Sequence, residues 1–180
     1  MTYTSLYNLT PKIINIMRKY LIVLIAFSLL TSVSCQEKID IEKELKALAE
    51  KEIKVWNGGP LSLFDEILSP EYVMHGVDSK DIIGLDAYKE YVTSTRTSFP
   101  DFNVAVDDLI IKGDKVVMRW TITGTNTGPF GDLPPTGKEF KVSGVTIGHY
   151  VDGKVREAWM FYNEVLSLSQ LGFTITPPAE

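Results

Sequence analysis

Thr125-Asn-Thr-Gly-Pro-Phe-Gly-Asp-Leu-Pro-Pro-Thr-Gly-Lys-Glu-Phe140 separates two β-like runs, and its reading decides the fold. Gly128, Pro129, Gly131, Pro134, Pro135 and Gly137 exclude regular structure from this segment. A loop so stiffened shapes whatever it lies against. On both sides of it the apolar period is two. Upstream, Phe102, Val104 and Val106, then Val116, Met118, Trp120 and Ile122, alternate with polar or small residues, and Lys112-Gly113-Asp114 supplies a hairpin turn. Downstream, strands over about Glu139–Val151 and Lys154–Asn163 meet at Asp152-Gly153.

The N-terminal half has a helical period instead. Ile41, Leu45, Leu48, Glu52 and Val55 describe one helix face, with Asp40 as N-cap and Asn57-Gly58-Gly59-Pro60 as the break. A shorter helical piece carries Leu61, Phe64, Ile67 and Leu68, and Tyr72 to His75 reads as a short strand. Leu85, Tyr88, Val92, Thr95 and Phe99 define the next helix, which Pro100 stops. Helices first and an antiparallel meander second predict an α+β architecture.

Seven short motifs in order carry a family likeness: Phe99-Pro100-Asp101, Gly113-Asp114-Lys115-Val116, Arg119-Trp120-Thr121, Gly124-Thr125, Pro134-Pro135-Thr136-Gly137, Asp152-Gly153-Lys154 and Gln170-Leu171-Gly172. With them the chain resembles the SnoaL-like polyketide cyclase, or ester cyclase, family, within the folds like nuclear transport factor 2. The resemblance covers roughly Ile41 to Gly172. It implies a curved antiparallel sheet wrapped around the helices as a cone with an internal cavity, commonly in a homodimer. It also implies an aldol ring closure without a cofactor, in which a carboxylate removes a proton next to a carbonyl. By register from Asp152-Gly153-Lys154 to Gln170-Leu171-Gly172, that carboxylate position holds Met160, and two histidine positions hold Thr146 and Ala158. A thioether exchanges no proton, so the family mechanism is not expected to run from there.

The last hairpin decides which residues share the cavity wall, because a one-residue slip reverses every side chain. A two-residue Asp152-Gly153 turn would put Thr146 with Trp159; a Val151-Asp152-Gly153 loop with a bulge at Gly153 would put it with Ala158 and Met160. The second arrangement is preferred, since it groups Gly144, Thr146, Gly148, Ala158, Met160 and Tyr162 on one face with room for a ligand. Val145, Ile147, His149, Val155, Glu157, Trp159 and Phe161 then form an apolar outer face suited to a second subunit.

Two histidines and one cysteine leave no multi-histidine metal site, and no phosphate-binding or nucleophile-elbow motif is present, so no metal or cofactor is expected. His75 is the candidate proton-transfer group, with Asp78 and Asp81 near it in sequence. His149 reads as an interface or surface residue, and Glu157 as a cross-strand partner of His149 or Arg119. Trp56, Tyr72, Trp120, Thr146, Met160 and Tyr162 are the expected ligand-contacting residues. Three readings follow: a binding protein for a small, largely apolar molecule; an enzyme of cyclase, isomerase or hydrolase type using His75 with Asp78 or Tyr162; or a non-catalytic dimerisation module.

Residues 1–34 read as an export signal, with Arg18-Lys19 before the apolar Leu21 to Leu30, and with Met17 as an alternative start that would make 1–16 an over-extension. Ser32-Val33-Ser34-Cys35 resembles a relaxed lipobox, so Cys35 is expected to carry lipid and 36–40 to act as a tether. Residues 41–172 form the expected domain and 173–180 a tail. The protein is thus expected to be an exported lipoprotein, facing the periplasm or cell surface. Its net charge of −5, with no long basic run, gives no reason to expect nucleic acid.

Overall fold

The computed structural model describes residues 15–21, 41–77 and 80–174. The chain divides into two units, Met1–Ile41 and Glu42–Glu180. Of the first, a short helix over 15–21 is described; Cys35, most of the expected signal segment and the tether lie outside the described residues. Among the described residues no helix is long and apolar enough to cross a membrane.

Helix α1 (41–56) buries Leu45, Ala49 and Val55, as its period requires. Asn57 ends it and ties it to the sheet: its Nδ2 donates to the Val104 carbonyl at 3.0 Å, and its Oδ1 accepts from the Val104 N–H at 2.7 Å. A 3-10 turn at Leu61–Leu63 leads into α2 (Phe64–Ile67). Strands β1 (Leu68–Val77) and β2 (Lys80–Ile83) follow, then α3 (Leu85–Ser98). After these come β3 (Asn103–Lys112), β4 (Lys115–Thr125), β5 (Glu139–Val151), β6 (Lys154–Tyr162) and α4 (Glu164–Gln170). Helix α3 buries Leu85, Tyr88, Val92, Thr95 and Ser98 and stops before Pro100 as predicted.

The strands form an open curved sheet in the order β2-β1-β6-β5-β4-β3. From β3 to β6 it is the expected antiparallel meander. The β1/β6 pair departs from that pattern and runs parallel, because β2, α3 and the three strands β3 to β5 intervene and bring the chain back in the same direction. Strand β2 and helix α4 were not foreseen. Strand β2 pairs with β1, and α4 is capped by Asn163, whose side chain accepts from the Leu166 N–H at 2.8 Å.

The last hairpin has the predicted faces by a different route. Asp152 and Gly153 both have positive φ, 51° and 75°, and form a two-residue turn with Val151 opposite Lys154. The register then slips at Arg156: Tyr150 pairs with Val155, but His149 pairs with Glu157. Beyond this bulge Thr146 faces Met160, Gly148 faces Ala158, and Gly144 faces Tyr162. One placement is corrected. Val155 precedes the bulge, so it lies on the inner face, buried against the core, and not on the outer one.

The loop after β4 is organised by Asn126, which is fully buried. Its Nδ2 donates to the Gly128 carbonyl at 2.8 Å, and its Oδ1 accepts from the Thr136 N–H at 2.9 Å and hydroxyl at 3.1 Å. Its backbone bonds Gly137 and Lys138. The Ser98 carbonyl, at the end of α3, receives the N–H groups of Thr127 and Gly128. One side chain thus holds both ends of the loop against a helix terminus. Asn126→Ala leaves buried donors and acceptors unmatched, and is expected to lower stability by about 3 kcal/mol in urea unfolding.

Candidate functional site

A cavity of about 100 Å³ opens between the inner sheet face and the helices. Glu52, Ile53 and Trp56 of α1 line it, with Tyr88, Tyr91 and Thr95 of α3. The sheet contributes Met74, Met118, Trp120, Thr146, Met160 and Tyr162 among others, and the rigid loop contributes Phe130. Phe130 is held there by Phe99, with ring centroids 5.5 Å apart. Trp120 donates its Nε1 proton to Thr146 Oγ1 at 2.9 Å. Opposite Trp120, position 144 must be glycine: a Cβ there would run into the indole and lie 2.7 Å from the Phe161 carbonyl oxygen.

Of the residues singled out from sequence, Trp56, Trp120, Thr146, Met160 and Tyr162 stand on this wall. Tyr72 does not. It is fully buried behind Tyr88, ring centroids 4.9 Å apart, with its hydroxyl 3.8 Å from the Met74 sulphur.

His75 corrects the catalytic expectation. Met74 lines the cavity, and successive strand residues face opposite ways, so His75 stands on the outer face. There its Nδ1 lies 2.9 Å from Asp81 Oδ1 and its Nε2 2.8 Å from Glu157 Oε1, while the ring stacks on Trp159 at 5.0 Å. Asp78 lies outside the described residues. Glu157 therefore pairs with His75 and not with His149 or Arg119; Arg119 binds Asp107 at 3.0 Å, and His149 packs on Trp159 at 4.7 Å. The Glu157 bond is the largest cause raising the His75 pKa, and the imidazolium that donates from both nitrogens is the form two carboxylates favour.

The residue that sequence reasoning passed over is Glu52. It stands in the apolar series of α1, and an acid on the buried face of an amphipathic helix was the available signal. Glu52 keeps some accessible surface as a lining residue, yet its carboxyl is removed from bulk water, and burial pushes its pKa from 4.5 up to about 7. Among the described residues no lysine, arginine or histidine lines the cavity to hold the charge. The nearby ionisable groups are phenols. Burial, and then Glu52 among other neighbours, raises the Tyr72, Tyr88 and Tyr150 pKa values, so these hydroxyls stay protonated. The Tyr88 hydroxyl also accepts from Trp56 Nε1 at 3.3 Å. Among the described residues no cluster of histidine, cysteine and acidic side chains is arranged to hold a metal ion.

The fold and cavity define a class that the comparisons name. The profile of the SnoaL-like polyketide cyclase family matches residues 46–171, and the chain belongs to that family. Solved structures similar to it include TsrD from Streptomyces laurentii, at 26% identity and TM-score 0.66, covering 72% of this chain and 96% of that one. AclR from Streptomyces galilaeus, a candidate hydroxylase, is similar at 29% identity and TM-score 0.63, covering 74% and 83%. IdmH from Streptomyces antibioticus, a candidate polyketide cyclase, is similar at 25% identity and TM-score 0.61, covering 71% and 98%. No curated protein matches the chain.

Two pH dependences follow. Glu52 has a raised folded pKa, so the folded state binds more protons than the unfolded between about 4.5 and 7, and its contribution to stability falls as pH rises through that window. Glu52→Gln is expected to remove this slope and to gain about 3 kcal/mol over the parent at pH 8, measured by urea unfolding at pH 5 and 8. His75 also has a raised folded pKa, so its stabilising pairs are complete below its unfolded pKa and are lost as pH rises through the folded one. Its ring resonances should titrate above 6.5, and Glu157→Gln should lower that midpoint, as read by NMR.

Proposed function

We propose that this SnoaL-family protein holds a small, largely apolar molecule in its cavity and does not close polyketide rings from the usual wall position. The observation that carries the reading is the composition of the wall. Trp56, Trp120, Phe130 and Met118 offer apolar surface, Thr146 and Tyr162 offer a few polar atoms for orientation, and Met160 stands where the resemblance puts an acid–base carboxylate. A thioether at that position adds surface for the ligand and no proton for a reaction. A cavity of about 100 Å³ suits a ligand of only a handful of heavy atoms, smaller than a polyketide chain.

The protein is exported and anchored through lipid at Cys35, in this proposal, which places the cavity outside the cytoplasm, facing the periplasm or cell surface. The basic Arg18-Lys19, the apolar stretch and the lone cysteine support this. Two copies pair through the outer sheet face. Phe161 there is 58% exposed, and Val145, Ile147 and Trp159 lie beside it with incomplete cover, an apolar area that a second subunit would remove from water.

Native mass spectrometry of protein extracted gently from its host membranes reads all three features. The expected spectrum shows a dimer, a diacylglycerol increment on the Cys35 peptide, and a retained small molecule that is lost in Gly144→Ala, where Trp120 is forced to move. A cavity that stays empty in the parent protein from its own host overturns the binding reading.

A further inference from the structure

We propose that the cavity takes a small methylated ammonium ion, with Glu52 as its counter-ion and the surrounding aromatic rings as its cage. The inference rests on the cavity-binding reading and deepens it by naming the class of ligand. Glu52 is the single acid among the described lining residues, and no lysine, arginine or histidine among them stands there to pair with it. Burying a carboxylate alone costs free energy that a leucine or glutamine at position 52 would avoid, and a cation bound beside it offsets that cost. A ligand of one positive charge therefore completes the charge balance of the wall.

The rings select the kind of cation. Trp56 follows Glu52 by four residues, so indole and carboxyl share one face of α1. Tyr88 and Tyr91 stand nearly perpendicular to that indole, at 80° and 77° with centroids 6.2 and 6.0 Å away, so the three rings make a corner and not a stack. Trp120 and Tyr162 line the sheet side of the same cavity. Aromatic faces carry the negative end of the ring quadrupole and attract weakly hydrated cations, and a sheath of methyl groups gains from the apolar walls as well. A primary ammonium would ask for an acceptor at each N–H. The hydroxyls here are already engaged: Tyr88 accepts from Trp56, Thr146 accepts from Trp120, and Thr95 donates to the Tyr91 carbonyl. A hard metal ion would ask for a full shell of oxygens, whereas one carboxyl stands among the described lining residues. The other titratable groups near Glu52 or lining the cavity are the phenols of Tyr72 on β1, Tyr88 and Tyr91 on α3, Tyr150 on β5 and Tyr162 on β6. A cation beside Glu52 favours the carboxylate over the acid, so binding strengthens as pH rises and expels a proton wherever the free carboxyl is still protonated.

Tetramethylammonium and tert-butanol, each of five heavy atoms, are matched probes, one charged and one neutral. The full chain is titrated with each at constant ionic strength, and the Trp120 indole N–H signal is followed by NMR as the report of occupancy. The expected result at pH 8 is tetramethylammonium binding at least ~10-fold tighter than tert-butanol, an advantage that falls below ~3-fold at pH 5 and in Glu52→Gln. Binding of tert-butanol should be the same in Glu52→Gln as in the parent. An alcohol that binds as tightly as the cation at pH 8, or a cation advantage that persists in Glu52→Gln, overturns the counter-ion role and leaves the binding reading standing. Methylammonium binding tighter than tetramethylammonium assigns the site to N–H donors and overturns the choice of a methylated ion. An indole signal that neither probe shifts sinks the binding reading and this inference with it. If Glu52→Gln does not fold, calorimetry of the parent at pH 6 in buffers of different ionisation enthalpy decides. Roughly half a proton or more expelled per tetramethylammonium bound, and none per tert-butanol, supports the proposal, and no proton expelled by the cation overturns it.

Discussion

Everything on the two faces of this sheet depends on one extra residue in β6. Arg156 has no partner on β5, so the strand that leaves the Asp152-Gly153 turn in one parity continues in the other. Before the bulge Val155 faces inward; after it Ala158, Met160 and Tyr162 do, while Glu157, Trp159 and Phe161 face out. Ladder hydrogen bonds to β5 lock that choice, because moving the register by one residue would bury Glu157 and expose the whole inner row. The parallel β1 is registered on the same strand, Met74 beside Ala158 and His75 beside Trp159, so the bulge also decides that Met74 reaches the cavity and His75 does not.

The two faces then treat ionisable groups in opposite ways. Outside, His75 lies between two carboxylates in partial contact with solvent, and its charge is satisfied from both sides. Such a group contributes to structure and tunes stability with pH. Inside, Glu52 has phenols and apolar walls around it and, among the described lining residues, no cation; burial brings its titration up to about 7. Environment, and not residue type, separates the two: burial raises the glutamate to about 7, while the bonds to Glu157 and Asp81 raise the histidine and hold it charged on the outer face. Met160 alters the wall at one point, and Glu52 places a titratable carboxyl at another.

The loop between β4 and β5 contributes Phe130 to the cavity wall. Asn126 satisfies its turns from within, Ser98 anchors it to the end of α3, and the result is that Phe130 sits against Phe99 as part of the wall. Asp101 adds a second tie, accepting the backbone N–H and hydroxyl of Thr125 at 2.6 Å each, and these bonds draw its pKa below the usual carboxylate value. A segment with no regular structure is thereby tied by hydrogen bonds to Asn126 and to the end of α3.

Local rules were enough for much of this. Spacing of apolar residues and the glycine and proline breaks determine α1, α3 and the strands β3 to β6, since those signals act within a few residues along the chain. The motif order placed the chain in its family, and the grouping of Thr146 with Met160 was legible once the hairpin was made to keep its small residues on one side. Three things were decided only by the tertiary structure. The bulge lies at Arg156 and not in the turn, because the register answers to the whole sheet. His75 faces outward because β1 is paired by a strand eighty residues away, which no local pattern encodes. And the pKa of Glu52 is raised because the walls that strip water from it are drawn from helices and strands across the chain, a desolvation that exists only once they have packed together.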